Sequence, residues 1–337
     1  MGTRGIVSRG FANSVNSMAP PRTGAPLLLT GDQHYISEDG KSHTVYKLKG
    51  YAGLHLEEAY DIEKARKRIR LVNPIVAPSC KEDARIDLFS FELQEISNGY
   101  KLGSGTGSMT WESSVAMSLY FTENPQELKG NLIELGSGVG LGAILSKVAK
   151  ELSPDEDDLS VTCTDVNDDI LEMLEQNMDK AAASNVLFEN DNIHIEKLDW
   201  FDYVGKENIT ENGSKQYDTI IASDCAYLKS QVNPLSETIS QLLGTEAKLH
   251  MFAPTNRTVV YELANELKES KQMKVEFEDI ELFKNRVRAD VSNTQKTEGT
   301  SCSISRFLHI TAWHENKSFD RNITGENVET KNIYDID

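Results

Sequence analysis

The apolar positions between residues 131 and 148 predict a buried strand, a tight turn and a helix in succession. The run Leu132–Leu135 has the nearly continuous apolarity of a strand buried on both faces, and the glycine-rich residues 136–140 follow it directly. Apolar residues then recur at helical spacing from Leu141 to Val148. A turn of this kind points free backbone N–H groups at an anion, at the carboxyl edge of a sheet. The segment therefore predicts a nucleotide-type site.

Similar patterns predict further strands and helices on both sides of this unit. Short apolar runs indicate strands, and amphipathic segments between them indicate helices. Strands are expected at 159–165, at 194–200, within 217–227, and at 248–253, 275–282 and 306–313. Helices are expected within 107–121, from 168 onward, at 234–243 and at 259–267, and the polar segment 284–301 is expected to be a long loop. The chain from 104 to 316 thus predicts one α/β domain.

The segment before this domain shows weaker patterns, and we expect residues 32–103 to be an extension packed on the main domain. Within it, Glu57–Arg70 has apolar residues on one helical face and predicts a charged helix that ends at Asn73 and Pro74. Residues 86–96 alternate between apolar and polar side chains, which predicts a half-buried strand.

Both ends of the chain are polar. Residues 1–31 contain arginines and serines but no acidic residue, so we interpret them as a disordered tail, and a mitochondrial transit peptide is the alternative. Residues 317–337 are expected to be a polar tail. The localisation that we expect is cytoplasmic, or mitochondrial if the first segment is a transit peptide.

Composition and charge narrow the class of protein. The chain has 337 residues, of which 39% are hydrophobic and 26% charged, enough for a sizeable core. The net charge of −18 disfavours a nucleic-acid partner and suits a basic protein partner, unless it only keeps the protein in solution. No apolar run reaches the roughly 18 residues of a membrane span. The four cysteines form no C-x-x-C pair, so we expect neither a metal site nor a disulfide framework.

The glycine turn alone does not identify its nucleotide. Gly136, Ser137, Gly138 and Gly140 fit a dinucleotide fingerprint only loosely. A rival glycine cluster at 103–107 follows a short polar segment, so we interpret it as a flexible loop. The next strand ends in Asp165, whose carboxylate can accept hydrogen bonds from both hydroxyls of a ribose.

Four motifs together resemble one enzyme family. They are Glu134 followed by the glycine turn, Trp111 in G-x-x-x-W-E-S-S, Leu198-Asp199-Trp200, and Asp224-x-x-Tyr227. This combination resembles the lysine-methylating subgroup of class I S-adenosylmethionine-dependent methyltransferases, often called methyltransferase family 16. The resemblance implies a Rossmann-like sheet of seven strands with helices on both faces, and S-adenosylmethionine as cofactor.

The resemblance also implies roles for individual residues. Asp224 and Tyr227 would border the methyl-transfer centre and orient the lysine amine. Apart from the resemblance, Asp199 could accept from an adenine amino group, but an Asp at a strand end is more often a cap, so we leave it out of the site. The residues expected to bind the cofactor are Trp111, Glu134, Gly136, Ser137, Gly138, Gly140, Asp165, Trp200 and Ser223.

The same resemblance implies a protein substrate that carries the target lysine, and within the family the chain is most similar to the branch acting on translation elongation factor 2. We expect a monomer. Two other functions stay open at this point: a small-molecule N-methyltransferase on the same fold, and a binding module without activity.

Overall fold

The computed structural model describes residues 42–51, 54–61, 66–75, 84–95, 105–154, 158–184, 192–206, 215–288 and 300–314. The strands are β1 (Ser42–Leu48), β2 (His55–Asp61), β3 (Arg66–Ile75), β4 (Ala84–Gln94), β5 (Asn131–Leu135), β6 (Ser160–Asp165), β7 (Ile193–Lys197), β8 (Tyr217–Ser223), β9 (Leu243–Pro254), β10 (Met273–Arg288) and β11 (Thr300–His314). The α-helices are α1 (Glu112–Glu123), α2 (Leu141–Glu151), α3 (Asp168–Ser184), α4 (Val232–Leu242) and α5 (Thr258–Glu269).

The strands form one sheet of 11 strands in the order β4-β3-β2-β1-β10-β11-β9-β8-β5-β6-β7. The strands from β7 to β9 are parallel to their neighbours, and β11 and β10 close this part of the sheet as an antiparallel pair. The seven strands from β10 to β7 are those that the sequence predicts, and the α/β fold class is confirmed. The carboxyl ends of β5, β6 and β8 meet at one edge, where a ligand site is expected.

The N-terminal extension adds four antiparallel strands, β1 to β4, to the β10 edge. The predicted charged helix at Glu57–Arg70 is wrong, because residues 55–61 and 66–75 are paired strands. In β3 the inward side chains are Lys67, Ile69 and Leu71, so the pattern has a period of two. The predicted strand at 86–96 is confirmed as β4 at Ala84–Gln94, and residue 96 lies outside the described residues. We call β1–β4 the meander.

The strands β10 and β11 are longer than the sequence suggested. The expected loop at 284–301 is wrong at both ends, because β10 continues to Arg288 and β11 begins at Thr300. Polar and charged residues in these segments hid the strand pattern. The pairing of β9 with β11 ends at Pro254 and Phe307, and β1 pairs with β10 only beyond that level, from Leu282 to Arg288. The meander therefore joins the part of the hairpin that extends past β9.

Buried side chains form two cores, one on each face of the parallel strands. On one face, α4 and α5 pack against β8 and β9. On the other face, α1, α2 and α3 are covered by the inward side chains of the meander, which share their core. The meander side chains in this core are Tyr46, Leu48, Leu56, Ile69, Leu71, Phe89, Phe91 and Leu93. None of the described helices is long and apolar enough to cross a membrane.

Candidate cofactor and acceptor site

The glycine turn after β5 is built from left-handed backbone and two hydrogen bonds of Ser137. Gly136, Gly138 and Gly140 have φ values of 67°, 54° and 89°, which favour glycine. The Ser137 N–H donates to the Thr164 carbonyl at 2.7 Å, and the Thr164 N–H donates to the Ser137 hydroxyl at 3.0 Å. These bonds fasten the turn to the end of β6, so the predicted residues lie together at the carboxyl edge.

A second constraint on the turn is the lack of space for a side chain at Gly138. A Cβ added at Gly138 would lie 2.9 Å from the backbone oxygen of Gly107, and one added at Gly107 would lie 3.3 Å from an Asp165 carboxylate oxygen. The segment Gly105–Ser108 is a 3₁₀ turn. Residues 105–107 of the expected flexible loop form part of this 3₁₀ turn, and Gly107 lies against Gly138; residues 103 and 104 lie outside the described residues.

Glu134 is a buried residue of β5, and its side chain contacts the first turn of α2. It is 1% exposed, and its carboxylate accepts from the Ala143 N–H in the first turn of α2 at 3.0 Å. Burial raises the pKa of Glu134 to about 8, and the nearby Asp165 adds to the rise. In this arrangement Glu134 holds the helix that follows the turn.

Asp165 ends β6 beside the glycine turn. Its carboxylate accepts from the Asn167 N–H at 3.1 Å, and burial raises its pKa while backbone N–H groups of Asn167, Gly138 and Val166 lower it. Among the described residues, neither Asp165 nor Glu134 has a cationic partner. A half-buried carboxylate with free acceptor capacity suits a ligand that brings hydroxyl donors.

Trp111 precedes α1 and fixes the segment that rests on the turn. Its indole Nε1–H donates to the Thr106 carbonyl at 2.9 Å, and the Thr106 hydroxyl donates to the Tyr227 hydroxyl at 3.3 Å. One short chain of contacts thus joins Trp111, which was expected near the cofactor, to Tyr227, which was expected near the acceptor.

Trp200 begins a short 3₁₀ turn after β7 and faces the same edge. A Cβ at Gly136 would lie 3.5 Å from its ring. Asp199 caps this turn by accepting from the Phe201 N–H at 2.9 Å, the role expected from the sequence. The flat Trp200 ring therefore lies against the glycine turn.

The acceptor side of the site differs from the expectation for Asp224. Its carboxylate binds Arg257 in a two-point ion pair, with Nε to Oδ1 at 2.8 Å and a second guanidinium nitrogen to Oδ2 at 2.9 Å. Only 1% of the Asp224 side chain is exposed. Burial raises the pKa of Asp224, and Arg257 offsets part of the rise. The sequence suggested that Asp224 contacts the incoming amine. A carboxylate that is buried and paired in this way is not open to one.

Asp224 also has a strained backbone, with a φ of 46°, and its N–H donates to the Phe252 carbonyl at 2.8 Å. Ser223, the last residue of β8, pairs with Phe252 in the sheet. Further along, the Gln231 side chain accepts from the N–H groups of Tyr227 and Leu228, at 3.2 and 2.9 Å. The segment from 223 to 228 is therefore fixed at both ends, and Tyr227 is its half-buried side chain.

Two residues of the site were missed from the sequence. Arg257 lies 33 positions after its partner Asp224, and no motif connects them. Glu112, which follows Trp111, is 5% exposed, pairs with Lys284 of β10 at 2.5 Å and accepts from the Ser305 hydroxyl at 2.7 Å. The glutamate of the W-E-S-S motif thus fastens the start of α1 to the extended hairpin.

The sheet order, the glycine turn and the acidic strand end define a class I methyltransferase fold with its nucleotide site. A lysine methyltransferase family model matches residues 92–274, more than half of the chain. The chain belongs to this family.

Two curated relatives are similar over part of their length. A calmodulin-lysine N-methyltransferase from Arabidopsis thaliana is 25% identical over 178 residues, which cover 52% of this chain and 54% of that protein. The protein-lysine N-methyltransferase EFM3 from Chaetomium thermophilum is 27% identical over 140 residues, 41% of this chain and 39% of that protein. The chain thus spans about half or less of the length of these relatives.

Similarity to solved structures is lower. A precorrin-6y C5,15-methyltransferase from Geobacter metallireducens GS-15 has 14% identity and a TM-score of 0.38, covering 60% of this chain and 86% of that one. Similarity at this level carries no functional information.

The cofactor of the family is S-adenosylmethionine, and the residues present fit it. The glycine turn leaves a space that a side chain would fill, Asp165 can accept from a ribose, and Trp200 offers a flat apolar surface beside the turn. Among the described residues, no cluster of His, Cys, Asp or Glu is arranged to hold a metal ion. The described cysteines, Cys163, Cys225 and Cys302, are free thiols.

Proposed function

We propose that the protein transfers a methyl group from S-adenosylmethionine to a lysine side chain of a protein substrate. The observation that carries the proposal is the series of hydrogen bonds from Trp111 through Thr106 to Tyr227. Gly107, next to Thr106, lies against the glycine turn and Asp165. It joins the cofactor side to the acceptor side at one edge of the sheet. Membership of the lysine methyltransferase family supports the proposal.

The acceptor chemistry sets what the site has to do. Bound S-adenosylmethionine supplies an electrophilic methyl group on a positively charged sulfur. A lysine amine attacks only when it is neutral, and at pH 7.4 its deprotonation costs about 4 kcal/mol from a reference pKa near 10.4. A free carboxylate facing the amine would increase this cost, because it favours the ammonium form. The pairing of Asp224 with Arg257 avoids this penalty.

Tyr227 is the residue that we assign to the amine. Its hydroxyl can accept from, or donate to, a group at the edge of the site without adding a full charge. Asp224 acts through the backbone, because its ion pair with Arg257 holds the segment that carries Tyr227. Trp111, Gly136, Ser137, Gly138, Gly140, Asp165, Trp200 and Ser223 are assigned to the cofactor side, and Glu134 to the support of the turn.

The substrate itself is proposed only as a class. The motif resemblance favours a translation elongation factor, and one relative is named for calmodulin. With a net charge of −18, a basic region around the target lysine would be attracted to this protein. A small-molecule substrate is the competing function on the same fold.

The test uses labelled S-adenosylmethionine, a cell lysate, and purified elongation factor 2 and calmodulin. We expect label on a lysine of a protein. Asp165→Ala should weaken cofactor binding by about 1 to 3 kcal/mol, because charged hydrogen bonds are lost. Tyr227→Phe should keep the cofactor dissociation constant within about twofold and lower the methylation rate at least about threefold.

Two results would contradict the proposal. Label that appears only in the small-molecule fraction would favour the competing function. Equal losses of cofactor affinity and rate in Tyr227→Phe would place Tyr227 on the cofactor rather than on the amine.

A further inference from the structure

The meander is bonded directly to the cofactor site by one buried side chain, Asn177 of α3. Asn177 is 0% exposed. Its Oδ1 accepts from the Gln94 N–H at 2.8 Å, and its Nδ2 donates to the Gln94 carbonyl at 3.1 Å. The same Nδ2 donates to the Val139 carbonyl at 2.9 Å. Gln94 ends β4, and Val139 lies inside the glycine turn.

The bond to Val139 satisfies a buried backbone carbonyl. Val139 is 3% exposed, between Gly138 and Gly140. The next position is equally confined, because a Cβ at Gly140 would lie 2.5 Å from Leu174 and 3.0 Å from Met178, both on α3. A buried carbonyl or N–H that loses its partner costs free energy. The hydrogen bond from Asn177 therefore favours the observed position of the Val139 carbonyl.

A second connection reaches the opposite side of the site. Glu95, which follows β4 and is 5% exposed, accepts from the Thr110 N–H at 2.6 Å and pairs with Lys67 at 2.9 Å. Lys67 in turn pairs with Glu58 at 2.6 Å, and both belong to the meander. Thr110 immediately precedes Trp111, so the end of β4 is hydrogen-bonded to the segment before Trp111 and, through Asn177, to the glycine turn.

We propose that the meander is part of the cofactor site, and that Asn177 is a positioning residue through which β4 holds the glycine turn in its cofactor-binding conformation. The inference rests on the cofactor site of the proposed function but not on the identity of the protein substrate. A turn rich in glycine has many backbone conformations to lose on binding, and an external hydrogen bond reduces that loss.

The test compares Asn177→Leu with Lys180→Met. Lys180 donates to the Gln94 side chain at 2.6 Å, so it joins the same helix to the same strand without contacting the turn. In Asn177→Leu we expect the calorimetric dissociation constant for S-adenosylmethionine to rise about fivefold to twentyfold, and in Lys180→Met to change less than about twofold. Hydrogen exchange of the amides at 137–141, without cofactor, should be faster only in Asn177→Leu.

Asn177→Asp provides a second variant if the leucine side chain prevents folding. It keeps an acceptor for the Gln94 N–H but, when ionised, loses the donor to Val139 and places a charge near that carbonyl. It should also raise the dissociation constant.

A lower melting temperature with an unchanged dissociation constant and unchanged exchange of the turn would overturn the inference, because Asn177 would then serve the fold alone. Failure of the wild-type protein to bind S-adenosylmethionine would instead count against the proposed function.

Discussion

The two ends of the site bury their carboxylates in opposite ways. At the cofactor end, Glu134 and Asp165 have no cationic partner among the described residues, they accept from backbone N–H groups, and burial raises the pKa of both. At the acceptor end, Asp224 is bound at two points by Arg257. Asp165 thus keeps acceptor capacity for a ligand, whereas the charge of Asp224 is neutralised by Arg257 inside the protein.

This difference matches the chemistry of the two proposed ligands. A ribose brings hydroxyl donors, which an open carboxylate can bind. A lysine amine must be neutral to react, and a carboxylate without a partner would stabilise its charged ammonium form instead. We infer that Arg257 allows a carboxylate to shape the acceptor segment without attracting the ammonium form.

The largest effect is expected from Arg257→Met, which should destabilise the protein by about 3 to 5 kcal/mol. The reason is that a buried Asp224 would be left without its cation. Urea unfolding gives the change in free energy. Cofactor affinity, measured on the folded fraction, should stay within about threefold, because Arg257 contacts the acceptor end.

Lys229→Met is the matched control. Lys229 pairs with Glu262 of α5 at 3.1 Å, but the two side chains are 81% and 42% exposed. Loss of such a surface pair should cost less than about 1 kcal/mol. An Arg257→Met protein as stable as Lys229→Met would show that the two-point pair does not support the acceptor segment.

The next effect is at the cofactor end, where Gly138→Ala should weaken S-adenosylmethionine binding about tenfold or more. The added Cβ would press on the Gly107 carbonyl at 2.9 Å and shift the turn. Gly50→Ala bears a similar backbone strain, with a φ of 86° but nothing within 4 Å of the new Cβ. We expect the two variants to lose similar stability, and only Gly138→Ala to lose affinity for S-adenosylmethionine. This result would attribute the loss of affinity to the glycine turn rather than to a positive φ as such. If Gly138→Ala bound S-adenosylmethionine as tightly as Gly50→Ala, Gly138 would not belong to the cofactor site.

Sequence reasoning predicted the parallel half of the sheet because its strands are buried on both faces. Leu132, Ile133, Ile220 and Ile221 make runs that few other structures explain. In the meander β4 was predicted, but β2 and β3 were missed because charged side chains point into the core: Lys67 and Glu58 are 1% and 3% exposed and form an ion pair. From the sequence alone, charged residues that form a buried ion pair are interpreted as a solvent-exposed face.

Candidate site residues could be proposed where they end a strand or follow one, as Asp165, Trp200 and Tyr227 do. Residues that act on the site from a distance could not be predicted. Arg257 and Asn177 lie 33 positions from Asp224 and 38 from Val139, and only the fold brings these pairs together. The ion pair of Asp224 was not predicted for the same reason, because its partner Arg257 is distant in the sequence.

The last prediction tests the unpaired carboxylate of Glu134 through the pH dependence of stability. Its pKa rises from 4.5 to about 8 on folding, so between these values the folded protein holds a proton that the unfolded chain has lost. Stability therefore falls as pH rises through this window, by up to about 1.4 kcal/mol per pH unit from this residue. Below the window both states are protonated, and above it both are ionised, so the contribution no longer changes.

Glu134→Gln should remove this slope, because the amide does not titrate and still offers an oxygen to the Ala143 N–H. Urea unfolding of both proteins from pH 5 to 8 would measure the difference, with Glu175→Gln, an exposed position on α3, as the control that keeps the wild-type slope. Parallel curves for wild type and Glu134→Gln would mean that Glu134 is ionised in the folded protein with a compensating partner. The contrast between the two ends of the site would then reduce to Asp165 alone.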